Sequence, residues 1–332
     1  MSNKSITQLL QISHPIIMAP MFLVSNLAML KAGIDAGIMG VIPTLNVRKD
    51  NELDALLKTM SEYKKGKIGS YGVNIIVQKT NILFEKHLKI CVENKVPFYI
   101  TSLGNPKPVI DAAQSYGAKV FCDVTNLVHA KKCADVGCDG FIAVGQGAGG
   151  HAGPNPLHIL VPTLQQHFPN LPIVAAGGIA NGASMLSVMA AGAAGVSIGT
   201  RFIASEEAGV NSEYKNAIVN SAMDDIVMTT KLSGTPCTII DTPYAKKIGY
   251  EQNWLETLLS NNSYVRKYFK MLVQLRGMKN LEASIKPGNY KTLWCAGKSV
   301  ELIHDIKPCK QIVEDLLREY VEAKAAFFKS DL

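Results

Sequence analysis

Eight short apolar runs punctuate the first two hundred residues, at 15–19, 38–42, 69–76, 96–102, 118–124, 140–144, 172–176 and 195–199. Each has the length of a strand, and several are rich in Val, Ile, Tyr or Phe. Helix-like segments lie between them at 25–36, 51–63, 81–93, 106–116, 126–136, 156–167 and 182–191. Strands that are apolar on both faces and alternate with helices build parallel sheets covered on both sides. Eight such units in one unbroken series suit a closed barrel better than an open sheet. An open doubly wound sheet usually shows a GxGxxG turn after its first strand, whereas here the first run ends in Ala19-Pro20-Met21. The expected fold is α/β, a (β/α)8 TIM barrel.

After Arg201 the rhythm breaks. Residues 210–300 hold Asp224, Asp225, Gly234, Pro236, Pro243 and a polar run at 260–263, with helical pieces expected at 253–259 and 264–276. Structureless loops beyond about 15 residues are uncommon, so this stretch reads as a small, mostly helical subdomain inserted after the eighth strand, on the substrate side. Residues 1–209 and 301–332 would then make the barrel. The helical periodicity of 308–328 supplies its last outer helix.

With 47% hydrophobic and 18% charged residues among 332, the chain is not of the disordered class. Its net charge of +7 is spread out. The densest basic runs, Lys64, Lys65 and Lys67 and then Lys246 and Lys247, are not interleaved with aromatics and read as solvated surface rather than a nucleic-acid patch. No run reaches the ~18 apolar residues of a membrane helix. The opening MSNKSITQLLQISHPIIMAP lacks the ordered regions of a secretory signal. Seven cysteines with no CxxC pair suit neither a disulfide framework nor a zinc site. The expectation is a cytoplasmic protein with reduced thiols, no metal, and neither nucleic acid nor membrane as partner.

Barrel active sites form on the loops that leave the C-terminal ends of the strands. After the seventh run comes Ala176-Gly177-Gly178-Ile179-Ala180-Asn181-Gly182, and after the eighth Gly199-Thr200-Arg201. Glycines let backbone N–H groups approach a phosphate, and the following helix adds its N-terminal dipole. Gly177 and Gly178 alone would suit a tight turn; the pair of loops together is the usual barrel phosphate site. The loop after the sixth run, 145–154 (GQGAGGHAGP), places five glycines around His151. Such a loop, through Ala148, Gly149 and Gly150, can lie flat against a planar ring and aim the imidazole at it. His14, His87, His129, His158, His167 and His304 have no such context. Asn74, after the third run, can donate and accept at once. Met21 can cover one face of a ring or simply plug the barrel top. Lys231, Trp254 and Trp294 either line the substrate side or are a surface lysine and two core tryptophans.

Residues 15–21 (PIIMAPM), 72–74 (GVN), 149–153 (GGHAG), 172–182 (PIVAAGGIANG) and 195–202 (GVSIGTRF) together resemble the nitronate monooxygenase family, formerly 2-nitropropane dioxygenase. The resemblance resumes at 293–297 (LWCAG) and in the final helix. The FMN-dependent enoyl-ACP reductases and certain NADH:quinone reductases are built alike. The resemblance implies an FMN-dependent (β/α)8 enzyme. Ala19, Pro20 and Met21 would lie along the isoalloxazine, Asn74 would bond its polar edge, Gly177, Gly178, Gly199 and Thr200 would hold the phosphate, and His151 would be catalytic. Two departures stand out: Gly147 where members often carry Glu, and Asp123 where some carry Lys. The implied reaction takes an alkyl nitronate and O2 to a carbonyl compound and nitrite. The alternative is an NAD(P)H-dependent reductase of quinones or enoyl thioesters. A non-redox barrel using the same phosphate loops would purify colourless.

Overall fold

A computed structural model describes residues 5–78, 80–232, 235–251, 273, 277, 280–282, 284 and 292–329. All eight expected runs are strands: β1 (Ile16–Met18), β2 (Met39–Pro43), β3 (Ser70–Ile76), β4 (Phe98–Ser102), β5 (Lys119–Val124), β6 (Gly140–Val144) and, after the two-residue β7 (Gly150–His151), β8 (Ile173–Ala176) and β9 (Gly195–Ile198). They pair in parallel in the order β1-β2-β3-β4-β5-β6-β8-β9, and β9 returns to β1 to close the barrel. The helices are α1 (Ile6–Leu10), α2 (Leu27–Asp35), α3 (Asp50–Lys64), α4 (Phe84–Glu93), α5 (Lys107–Gln114), α6 (Leu127–Asp135), α7 (Leu157–His167), α8 (Gly182–Ala190), α9 (Thr200–Ile203), α10 (Ser212–Asn220), α11 (Pro243–Ile248) and α12 (Cys309–Lys329). Asparagine starts three of the outer helices. The side chains of Asn26, Asn126 and Asn181 accept from the N–H of Met29, His129 and Ser184, each at 2.9 Å. Each cap stabilises by about 1 kcal/mol.

Two cores follow from the alternation of strand side chains. Inside the barrel pack Ile17, Met39, Val41, Phe98, Ile100, Phe121, Ile142 and Val174, with Ile6, Leu10 and Ile12 of the N-terminal segment beneath them. Phe98 and Phe121 meet edge to face at 5.3 Å. They fit because β3 and β6 carry glycine where their rings sit. A Cβ on Gly72 would stand 2.7 Å from Phe98 Cδ1, and one on Gly140 2.6 Å from Phe121 Cζ. Overpacking a filled core costs about 1–3 kcal/mol, so Gly140→Ala should lower the thermal midpoint measurably without changing the fold. An unchanged midpoint would show that the Phe121 ring yields freely. The second, larger core lies between the strands and the outer helices.

His87 on α4 belongs to that outer layer. It is fully buried, and neither ring nitrogen has a hydrogen-bond partner. Desolvation lowers its pKa below 6.5; nearby Asp50 opposes this and Lys86 adds to it. The native state therefore resists a proton that the unfolded chain accepts. Stability is fully present above 6.5 and declines as pH falls below it. His87→Leu should flatten the stability difference between pH 7 and pH 5 in urea unfolding. An equal difference in both proteins would assign the acid lability elsewhere.

The described part of 210–300 adds strands to the helices expected there. Besides α10 and α11 it contains β10 (Ile226–Thr229) and β11 (Cys237–Ile240), which join β7 in a three-stranded antiparallel sheet. These strands are short, and one partner comes from a loop far away in sequence, so no local period announces them. The helical pieces expected at 253–259 and 264–276 lie, but for residue 273, outside the described residues, as does Trp254. The expected last helix is α12. It packs on α8 so closely that a Cβ on Gly182 would stand 2.0 Å from Tyr320 N.

Candidate active site

The top of the barrel interior is polar on one side. The alternation that puts Phe98 and Ile100 inside places Ser102 at the upper end of β4; likewise Asp123 stands above Phe121 on β5, and Asn74 above Gly72 on β3. The three are linked. Asn74 Nδ2 donates to Ser102 Oγ at 2.8 Å and to the carbonyl of Ile100 at 3.2 Å, and Ser102 Oγ donates to Asp123 Oδ2 at 2.5 Å. Desolvation pushes the Asp123 carboxyl up to about 6, opposed by the bond from Ser102.

The loop after β1 is tied by a residue with no signal in its sequence surroundings. Asn46, just beyond β2, donates from Nδ2 to the carbonyls of Met21 and Ser25 at 3.1 and 2.8 Å, and its Oδ1 accepts from Leu23 N–H at 2.9 Å. Ser25 Oγ accepts from Met21 N–H at 3.0 Å. These bonds hold Leu23 at a positive φ of 63°. They also bring Ala19 and Met21 beside Gly199, where a Cβ would lie 3.7 Å from both Ala19 Cβ and Met21 Sδ. The ends of β1 and β9 are therefore one wall.

The glycine loops interlock. A Cβ on Gly177 would stand 2.6 Å from Ala148 N, on Gly147 3.0 Å from Gly178 N, and on Gly149 2.7 Å from Gly297 N. Gly178 N–H donates to Gly147 O at 3.0 Å, and Gly297 N–H to Thr200 Oγ1 at 3.1 Å. Gly297, from the returning chain, thus completes the packing, a role that sequence patterning does not disclose. Gly178 differs from its neighbours. Its φ is +72°, and nothing lies within 4 Å of where its Cβ would be. That open space beside a backbone turn suits a phosphate group.

The donors for such a group are not all those expected. Gly178 has spent its N–H on Gly147. The N-terminus of α8 is closed: Asn181 caps it, Ala180 and Asn181 donate to Ser184 Oγ, and Gly182 N–H goes to the Glu319 carboxylate at 2.9 Å. A carboxylate therefore holds the place the α8 dipole was expected to offer. Among the described residues the N–H groups of Gly177, Ile179, Thr200 and Arg201 donate to nothing. Ile179, Thr200 and Arg201 are at most 6% exposed, and buried N–H groups are rarely left unpaired. The Arg201 side chain turns away, to Asp305, with an N···O distance of 2.5 Å. The site thus fits the FMN phosphate, with Ile179 and Arg201 as backbone donors that side-chain reasoning could not reveal.

His151 is carried by a strand rather than a free loop. In β7 it pairs with Cys237 of β11, and Gly150 pairs with Thr238, whose Oγ1 donates to Ala148 O at 2.7 Å. The inserted segment thereby grips the glycine-histidine loop. The imidazole is exposed at the surface, yet desolvation by the surrounding protein holds its pKa below 6.5. It is therefore neutral at pH 7 and can give or take a proton. Trp294 has the core role: it is 8% exposed, stacks on Tyr214 at 5.4 Å and donates from Nε1 to Ser284 O. Lys231 is half-buried beyond β10. No cluster of three metal-ligating side chains occurs among the described residues, and no helix among them is long and apolar enough to cross a membrane.

The chain is similar to three known proteins. FabK from Thermotoga maritima superimposes with a TM-score of 0.82 at 30% identity, over 98% of each chain. A (3aS,4S,5R,7aS)-5-hydroxy-7a-methyl-1-oxo-octahydro-1H-indene-4-carboxyl-CoA dehydrogenase from Mycobacterium tuberculosis is 24% identical over 95% of each chain. A probable nitronate monooxygenase from Staphylococcus saprophyticus is 33% identical over half of each chain. The family model for nitronate monooxygenase matches residues 3–319. That match spans the barrel, the phosphate loops and the histidine strand alike, and it makes the chain a member of the nitronate monooxygenase family, an FMN-dependent oxidoreductase.

Proposed function

We propose that this enzyme oxidises alkyl nitronates with O2 to a carbonyl compound and nitrite, with His151 as its acid–base group. The observation that carries the reading is a neutral imidazole set by β7 at the rim of a barrel whose opposite loops offer unpaired amides. Bound FMN supplies the redox chemistry; the chain supplies orientation and charge. Gly178 leaves the space for the phosphate, and Gly177, Gly199 and Thr200, with the amides of Ile179 and Arg201, hold it. Ala19, Pro20 and Met21 form one wall of the ring site, Asn74 meets its polar edge, and Ala148, Gly149 and Gly150 lie along it. A nitronate is already an anion, so His151 donates an N–H to its oxygens. With a neutral nitroalkane, the tautomer that leaves this nitrogen without its hydrogen removes the α-proton. The division that goes with this reading is a barrel of 1–209 and 301–332, with 210–300 as the substrate-side unit.

The second reading is NAD(P)H-dependent reduction of a quinone or enoyl thioester. It is favoured by the full-length similarity to FabK and to a dehydrogenase of a CoA thioester. Aerobic mixing with a nitronate, and separately with NAD(P)H and an acceptor, separates the two. Nitrite release without NAD(P)H is the expected result. NAD(P)H oxidation coupled to an acceptor, with no nitrite from any nitronate, would replace the first reading by the second.

A further inference from the structure

We infer that Asp123, acting through Ser102, is a positioning residue that turns the Asn74 amide so that its oxygen faces the ligand, making this edge of the site an acceptor for a ligand N–H. The inference rests on the FMN reading, in which the ligand's N–H is the imide N3–H at the pyrimidine edge of the flavin.

The polarity follows from what each partner can do. The Ile100 carbonyl only accepts, so the Asn74 atom 3.2 Å away is its nitrogen. The Asp123 carboxylate also only accepts, and the 2.5 Å O···O distance is that of a charge-assisted bond. Ser102 therefore spends its single proton on Asp123 and offers Asn74 a lone pair, which takes the second Nδ2 hydrogen at 2.8 Å. Both amide hydrogens are committed inside the barrel wall, and Oδ1 accepts nothing among the described residues. Asn74 is 7% exposed, so a ligand donor is the partner its oxygen lacks. Among the described residues no cation faces Asp123: desolvation and the Ser102 bond are the influences on it, and the nearby titratable groups, Cys122 on β5 and Cys133 on α6, are thiols held in their protonated form. The carboxylate thus has one strong interaction to make, and it makes it with Ser102. An acid at this position serves the site through a hydrogen-bond chain, where a lysine would serve as a charge.

The test reads the ionisation of the flavin N3–H by absorbance titration of the holoenzyme, against free FMN. An acceptor stabilises the protonated N3, so in the wild type ionisation should require a pH about one higher, a tenfold shift in the equilibrium. Asp123→Asn puts beside Ser102 Oγ an amide that can donate as well as accept, so the Ser102 proton is no longer committed and the Asn74 amide can turn; ionisation should return to, or fall below, that of free FMN. Ser102→Ala, or Ser102→Cys if that variant is insoluble, should do the same while leaving the Asp123 charge in place. Ser102→Thr, which keeps the hydroxyl, should retain the wild-type value. A change in Asp123→Asn alone would mean a through-space charge effect and overturn the relay, as would a wild-type value equal to that of free FMN. A wild-type protein that binds no FMN would fail the flavin reading itself, whatever the variants do.

Discussion

His151→Ala is expected to retain FMN and lose turnover by about 10²–10⁴-fold, the range for general acid–base and electrostatic roles. The reason lies in how the side chain is mounted. β7 holds the backbone of residue 151 against Cys237, and Thr238 clamps the preceding loop, so truncating the imidazole leaves the loop in place. The loops assigned to the phosphate pack on Gly147, Ala148 and Gly149, which the substitution leaves unchanged, so cofactor retention is expected. If the imidazole is a base, activity on neutral nitroalkanes falls more than activity on preformed nitronates, which need no proton removed. If it only orients the anion, both fall together. In the wild type the acid limb for the neutral substrate should lie below 6.5, because desolvation favours the uncharged ring. Near wild-type rates on nitronate, nitroalkane and NAD(P)H with quinone would make His151 structural.

Gly178→Asp is expected to remove FMN from a folded protein. The position has a φ of +72° and open space where a side chain would go, and Asp and Asn tolerate that conformation better than other residues with side chains. The barrel therefore survives, while the new carboxylate enters the space assigned to the phosphate. Two unit charges ~4 Å apart repel by ~1–4 kcal/mol between water-like and surface-like dielectric, enough to weaken binding by up to about a thousandfold. Gly178→Asn has nearly the same shape without the charge and should keep most of the affinity. Fluorescence titration of the apoproteins with FMN makes the comparison. Equal affinities in the two variants would put the phosphate elsewhere.

Much of this protein is legible in its amino-acid sequence. The eight strands and seven intervening helices fall where the apolar runs and amphipathic segments place them, because period and burial are local properties. A barrel whose parallel sheet is buried on both faces writes its strands as continuous apolar runs. The glycine-rich loops also lie where the sequence puts them, directly after the strands, because a loop's place follows from the strand before it. Relations between distant segments are not written in this way. The pairing of β7 with β11 turns part of an expected glycine-rich loop into a strand that holds His151. Glu319, on the last helix, closes the α8 N-terminus that the linear pattern offers to a phosphate, while the amides of Ile179 and Arg201 are left unpaired among the described residues. Asn46 sits in no recognisable pattern, and Gly297 is marked only as the end of the resembling segment 293–297, yet one ties the β1 loop and the other fills the room the glycine loops leave. The Asp123–Ser102–Asn74 chain joins three strands at one level of the barrel. Such features depend on register, shear and packing across long sequence separations, which no window along the chain contains, so only the closed barrel decides them.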